Sequence, residues 1–235
     1  MLTSIGETAA GAAHEMNNPL AVISGRSQLL ASTLSDPKQR DAAHQIFEKS
    51  QTLSDLITAL MHFAKPQAPK PIPVDLPSLL EAAIAQAKEQ TKIADRQIEV
   101  RINDLPQASV DPQQVSAAMA EIVSNAIQAT DEHTGRLTVS ASFDALSQRL
   151  VLTIADNGIG MDEHVLRHAF DPFFSAKRAG RRQGMGLAKA QRWIESSMGS
   201  VRLESRPDEG TRAIVILPAA STEAVSQHAA RMRQA

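Results

Sequence analysis

The chain of 235 residues contains no cysteine, which excludes a disulfide framework and thiolate metal sites. It has no tyrosine, and aromatic residues make up only 3% of it, so the stacking platforms that grip single-stranded nucleic acid are missing. Neither charge is in excess: 24 Lys and Arg face 26 Asp and Glu, for a formal net charge of -2, and no polyanionic partner is implied. No apolar run approaches the roughly 20 residues of a membrane-spanning helix, and the first residues lack the pattern of a signal peptide. What remains is an ordinary globular composition, 43% apolar and 21% charged, with length for one large domain or two smaller ones. The chain reads as cytoplasmic, either complete or the soluble part of something longer.

Residues 2–34 carry apolar and small side chains at helical spacing, among them Ile5, Ala9, Ala12, Met16, Leu20, Ile23 and Leu30. After the turn signal Ser35-Asp36-Pro37, a second helical pattern with Ile46, Leu53, Ile57 and Leu60 runs to about Phe63. The short connection predicts an antiparallel hairpin, and one hairpin cannot surround its own apolar seam, so a homodimeric four-helix bundle is expected. Within the first helix stands AHEMNNPL, residues 13–20. Proline lacks an N–H and presses on the carbonyl four residues back, here that of Glu15, while asparagine competes for backbone groups; a local bend beyond His14 follows.

Residues 65–77, KPQAPKPIPVDLP, hold five prolines and no helical period, which predicts a stiff, extended linker and a domain boundary. Beyond it the pattern predicts helices at 77–91, 113–130 and 185–198, and strands at 97–102, 137–143, 149–156, 200–205 and 212–218. The expected fold class is α+β multidomain: a helical hairpin over 1–64, a linker over 65–76, a two-layer domain with a mixed sheet over 77–218, and a polar tail over 219–235.

Four short blocks of the second domain stand out. In EIVSNAIQAT, Glu121 and Asn125 fall at i and i+4 on one helical face. In DNGIGM, Asp156 ends a strand, and Gly158 and Gly160 permit backbone shapes closed to other residues. FDPFFSAK, residues 170–177, holds three of the six phenylalanines. GMGL, Gly184 to Leu187, opens a helix, where free amides can meet phosphate oxygens. Taken singly, each has a plainer explanation: a solvated helix face, a strand-to-turn junction, a hydrophobic plug, a loop.

Together and in this order they resemble the N, G1, F and G2 boxes of the catalytic domain of two-component sensor histidine kinases, which has the Bergerat ATP-binding fold, and AHEMNNPL resembles the H box of the same family. The resemblance runs from about Leu2 to Pro218. It implies that the chain transfers the γ-phosphoryl group of ATP to His14 and then to an aspartate of a response-regulator receiver domain. It further implies that Asn125 ligates Mg²⁺, that Asp156 accepts from the adenine amino group, and that Gly158 and Gly160 let the chain approach the base. Gly184, Gly186 and Leu187 then belong to the phosphate loop, with Lys177 and the cations Arg178, Arg181 and Arg182 in a lid, while Gly210 and Thr211 resemble a final glycine box.

Glu121 departs from the asparagine that many kinases carry there and resembles the glutamate of related ATPases that activates water. Two roles are open to it: holding Mg²⁺ through water, or assisting removal of the nucleophile's proton. Glu15 suits proton removal from the other nitrogen of His14. Asn18, four residues on, resembles the amide of the family's phosphatase motif and suits orienting a water against an aspartyl phosphate. The six other histidines, His44, His62, His133, His164, His168 and His228, have no comparable context. The chain begins so close to His14 that a sensor is expected to be missing or to lie on another chain. The competing readings are an ATP-driven conformational switch of the same nucleotide-binding fold, with Glu121 activating water, and a non-catalytic dimerisation scaffold.

Overall fold

A computed structural model describes residues 2–64, 68–93, 95–176, 184–221, 223 and 225–226, with side chains left undescribed at 2–14, 55 and 59–64. The chain divides into two compact units, Met1–Gln67 and Ala68–Ala235.

The first unit is a hairpin of α1 (Leu2–Thr33) and α2 (Pro37–Ala64). At about 1.5 Å per residue α1 is roughly 50 Å long. Pro19 lies inside α1, which continues past it to Thr33. Asp36 starts α2 by accepting from the amides of Lys38 (2.8 Å) and Gln39 (3.4 Å), and Pro37 at the first helical position gives up an N–H that has no helical acceptor. Small side chains, Ser27, Ala31, Ala43 and Ser50, are buried along the hairpin. Both serines satisfy their hydroxyls on their own helix, Ser27 at Ile23 O (2.8 Å) and Ser50 at Phe47 O (2.8 Å). Gln51 Nε2 donates to Ser24 Oγ (2.8 Å) and Ser54 Oγ to Asn17 Oδ1 (3.2 Å), tying the helices together.

Met16, Val22, Ile23, Leu29, Leu30, Ile46 and Leu53 all remain exposed. An exposed apolar surface of this extent is the kind that a second copy of the hairpin would be expected to cover. Residues 1–67 produced alone are therefore expected to sediment as a helical dimer; a monomer at micromolar concentration contradicts this.

The second unit is a two-layer domain. Strands β2 (Gln97–Ile102), β4 (Arg136–Asp144), β5 (Arg149–Asp156), β7 (Thr211–Pro218) and β6 (Ser200–Ser205) form a sheet in the order β2-β4-β5-β7-β6. Only the β2–β4 pair is parallel, as expected of two strands separated by a helical crossover. Helices α3 (Leu76–Thr91), α4 (Pro112–Ala129) and α6 (Gly186–Ser196) belong to the same core. Alternate sheet residues, Leu137 and Val139, Leu150, Leu152 and Ile154, and Val215 and Leu217, are fully buried. They share one cluster with Leu76, Leu80, Met119, Ile127 and Ile194 of the helices, each such side chain contributing about 1.5–3 kcal/mol.

The proline-rich segment is not a linker throughout. Ile72–Val74 (β1) pairs antiparallel with Ala108–Val110 (β3), a two-stranded ribbon in which Pro73 is tolerated because edge positions need no donor. Asp111 fastens this ribbon to α4: its Oδ1 caps the helix through Gln113 N (3.0 Å) and Gln114 N (3.1 Å), and Oδ2 accepts from Lys70 N (2.9 Å). A one-and-a-half-turn helix, α5 (Glu163–His168), was also not expected; Asp162 caps it at Val165 N (2.7 Å).

Candidate functional site

The C-terminal ends of β5 and α4 and the start of α6 surround a cavity of about 230 Å³ whose lining includes Glu121, Asn125, Asp156, Gly160, Gly184 and Gly186. Residues singled out in three separate sequence blocks thus meet in one place. Leu187 lines it as well, with Ile154 and Leu203 among its apolar walls.

Asp156 ends β5 half-buried, and its Oδ1 accepts from Gly158 N (2.9 Å) and Thr211 N (3.2 Å). Burial pushes its carboxyl above the ordinary value of 3.8, against the pull of those two amides. The following turn is held by contacts only glycine allows. Gly160 has φ +63° and a side chain there would strike the Arg206 carbonyl; Gly210, φ +78°, similarly abuts the carbonyl of Asp156 itself. Ser205 joins the two turns: Oγ donates to Gly210 O (2.8 Å), accepts from Met161 N (2.9 Å) and lies 2.9 Å from Thr211 Oγ1.

The floor of that turn is the end of α4, where Ile159 N donates to Ala129 O (3.0 Å). Asn157 clamps the neighbouring loop, accepting from Arg136 N (2.7 Å) and donating to Thr134 O (3.0 Å). Buried Arg96 donates to the carbonyls of Asp131 and Thr130 just past the helix, where a cation complements the helix's negative end.

At the other side of the cavity, Gly184 (φ +65°) abuts the Phe173–Phe174 backbone, and its carbonyl accepts from Phe173 N (3.0 Å). The phenylalanine block and the glycine block are thereby locked together. The Phe174 ring sits 6.0 Å from the His164 ring and 5.6 Å from that of His168, and His168 Nδ1 is paired with Asp171 Oδ2 at 2.7 Å. Those two histidines, which have no motif context in the sequence, pack against Phe174 in the wall of the cavity. Lys177, Arg178, Arg181 and Arg182 lie outside the described residues.

Glu121 and Asn125 stand one turn apart on α4, and Gly186 of α6 faces them. A Cβ at Gly186 would be 2.7 Å from Glu121 Oε2 and 3.8 Å from Asn125 Nδ2, so glycine keeps the helix start open beside two oxygen-bearing side chains. Met185, at the N-cap of α6, makes no side-chain cap to it, and amides at such a helix start suit an anion. Among the described residues no trio of carboxylates or imidazoles is grouped to hold a metal alone; a hard cation here would share Asn125 and Glu121 oxygens with a phosphate ligand.

His14, Glu15 and Asn18 lie in the first unit, all within α1. Glu15 and Asn18 are exposed. Arg96, Asn157, Ser205 and Lys189, which the sequence reading passed over, act around the second unit's cavity. Two of them have a signal in the chain: Asn157 lies within DNGIGM, and Lys189 stands three residues after Gly186 and four before the single tryptophan.

Residues 110–221 match the family described as histidine kinase-, DNA gyrase B-, and HSP90-like ATPase, and residues 4–69 match the His Kinase A (phospho-acceptor) domain. The signal transduction histidine-protein kinase AtoS of Escherichia coli K12 is 30% identical over 220 residues, which are 92% of this chain and 35% of AtoS. Sporulation kinase E of Bacillus subtilis 168 is 29% identical over 219 residues, 91% of this chain and 28% of the relative. This chain therefore spans about a third of each of those proteins. ShkA, whose full-length structure was determined in complex with AMPPNP, superposes with a TM-score of 0.74 at 23% identity, over 92% of this chain and 46% of ShkA.

Proposed function

The chain belongs to the family of two-component sensor histidine kinases, and on that premise we propose that it is a kinase core that autophosphorylates His14 from ATP and passes the phosphoryl group to an aspartate of a receiver domain. The observation that carries this reading is the meeting of Asn125, Asp156, Gly160, Gly184 and Gly186 in one cavity, in a chain whose other unit presents a histidine followed by an acid. The adenine amino group donates to the Asp156 carboxylate, and the phosphates lie at the start of α6. Bound Mg²⁺ would be held by Asn125 and Glu121 and would neutralise phosphate charge.

In the transfer, the lone pair of a neutral His14 ring nitrogen forms the N–P bond, the bond from the γ-phosphorus to the bridging oxygen breaks, and ADP takes that electron pair. Glu15 receives the proton of the other ring nitrogen. The same helix then serves the reverse task, with Asn18 holding a water in line with an aspartyl phosphate on the partner. Asn18→Ala is expected to leave autophosphorylation near the parent rate and to slow receiver dephosphorylation by about 10²-fold, the scale of a lost positioning contact. Following the decay of a purified phosphorylated receiver with each protein checks it; equal decay rates exclude Asn18.

Glu121 beside the phosphate end favours a second reading, a switch ATPase that hydrolyses ATP without a phosphoprotein. One assay separates them. With γ-labelled ATP and Mg²⁺, the kinase reading predicts acid-labile, alkali-stable label on the protein that moves to an added receiver domain. Label released only as inorganic phosphate supports the switch.

A further inference from the structure

Glu121 is on α4 and Lys189 on α6, one turn beyond Gly186, and Lys189 Nζ lies 3.6 Å from Glu121 Oε1 with the two side chains only 24% and 17% exposed. The ammonium also stands 5.2 Å from the centre of the Trp193 ring, so it is confined between an aromatic face and a carboxylate. Glu121 lines the cavity and Lys189 does not. Lys189 meets the cavity wall at Glu121.

We propose that Lys189 is a positioning residue for the phosphoryl-transfer reaction: held against Trp193, it fixes the Glu121 carboxylate beside Asn125 and Gly186. A glutamate has three side-chain torsions, and each added restraint narrows the rotamers it samples. An ion pair in a partly desolvated site restrains it far better than one on an open surface. Gly186 bounds the carboxylate on one side at Oε2, and Lys189 draws Oε1 on the other. Because Lys189 is not among the residues that line the cavity, its expected effect is on the rate rather than on binding.

The inference rests on the kinase reading only for the choice of assay. Full-length parent, Lys189→Met, Lys189→Arg, Glu121→Gln and the Lys189→Met/Glu121→Gln double variant are compared for autophosphorylation kcat and KM, for phosphate release, and for calorimetric ATP affinity. Lys189→Met is expected to lower kcat about tenfold with KM and ATP affinity within about twofold of the parent. Lys189→Arg should recover most of the rate, and in the Glu121→Gln background Lys189→Met should cost nothing further. An unchanged kcat, a loss confined to KM, or equal losses in both backgrounds would overturn the proposal. If the parent acquires no label, the kinase reading has failed, and the same coupling is then read from the phosphate-release rates.

Discussion

Replacing Asp156 with asparagine is expected to weaken ATP binding by at least about 10³-fold while leaving the nucleotide-free protein as stable as the parent or more so. The substitution preserves shape and keeps an oxygen to accept from Gly158 N and Thr211 N. What changes is the second position of the group, where an acceptor becomes an N–H₂ donor and meets the adenine amino group donor to donor. Sites built to hydrogen-bond one ligand group reject its absence by about 10⁴-fold or more, since the loss of attraction adds to an unpaired buried donor. Guanine presents an oxygen where adenine presents that amino group, so the ratio of ATP to GTP affinity should also collapse.

The stability half of the expectation follows from linkage. Burial raises the Asp156 carboxyl above 3.8. A carboxyl raised on folding stabilises the folded state only below its unfolded value, and that contribution is lost as pH rises through the folded one. At neutral pH the ionised group is therefore a cost that asparagine removes, and the advantage of the variant in melting temperature should shrink as the pH is lowered towards 4. For the same reason the parent's ATP affinity should fall on acidification at a higher pH than an ordinary aspartate would dictate, and that of the variant should stay flat. Calorimetric titration with ATP and GTP, with melting curves across pH, checks all of this. Unaltered ATP selectivity in Asp156→Asn would remove the adenine role.

The large elements of this fold were legible because each carries its own period and its own punctuation. Strands 97–102, 149–156 and 200–205 end where the pattern ends, and α4 starts where the Asp111-Pro112 cap sets it. The ribbon β1–β3 was not legible: three residues give no periodicity, and Pro73 argues against a strand unless the strand lies at an edge. The six-residue α5 is likewise too short to show a turn-to-turn repeat.

The same division holds at the site. Asn125, Asp156 and the glycines sit in short blocks whose chemistry is local, so the chain order exposes them. Arg96 and Ser205 work by reaching across the fold, Arg96 to carbonyls 34 and 35 residues away and Ser205 to the amide of Met161. Nothing in their own neighbourhoods marks them. The apolar seam of α1 is legible in the sequence, yet Met16, Ile23 and Leu30 are exposed on the single chain, and a second copy is the expected cover.

On the kinase reading, the second unit binds ATP and a histidine of the first accepts its phosphoryl group. His14→Gln tests both halves on one preparation. Glutamine lacks a nucleophilic ring nitrogen but keeps helix-compatible shape, and His14 belongs to the unit that does not contain the nucleotide cavity. ATP affinity is expected to stay within about twofold of the parent, since distant sites usually act independently, together with complete loss of acid-labile label from γ-labelled ATP. Label retained by His14→Gln would place the phosphoacceptor elsewhere, and ATP affinity lost along with the label would contradict the division of the reaction between the two units.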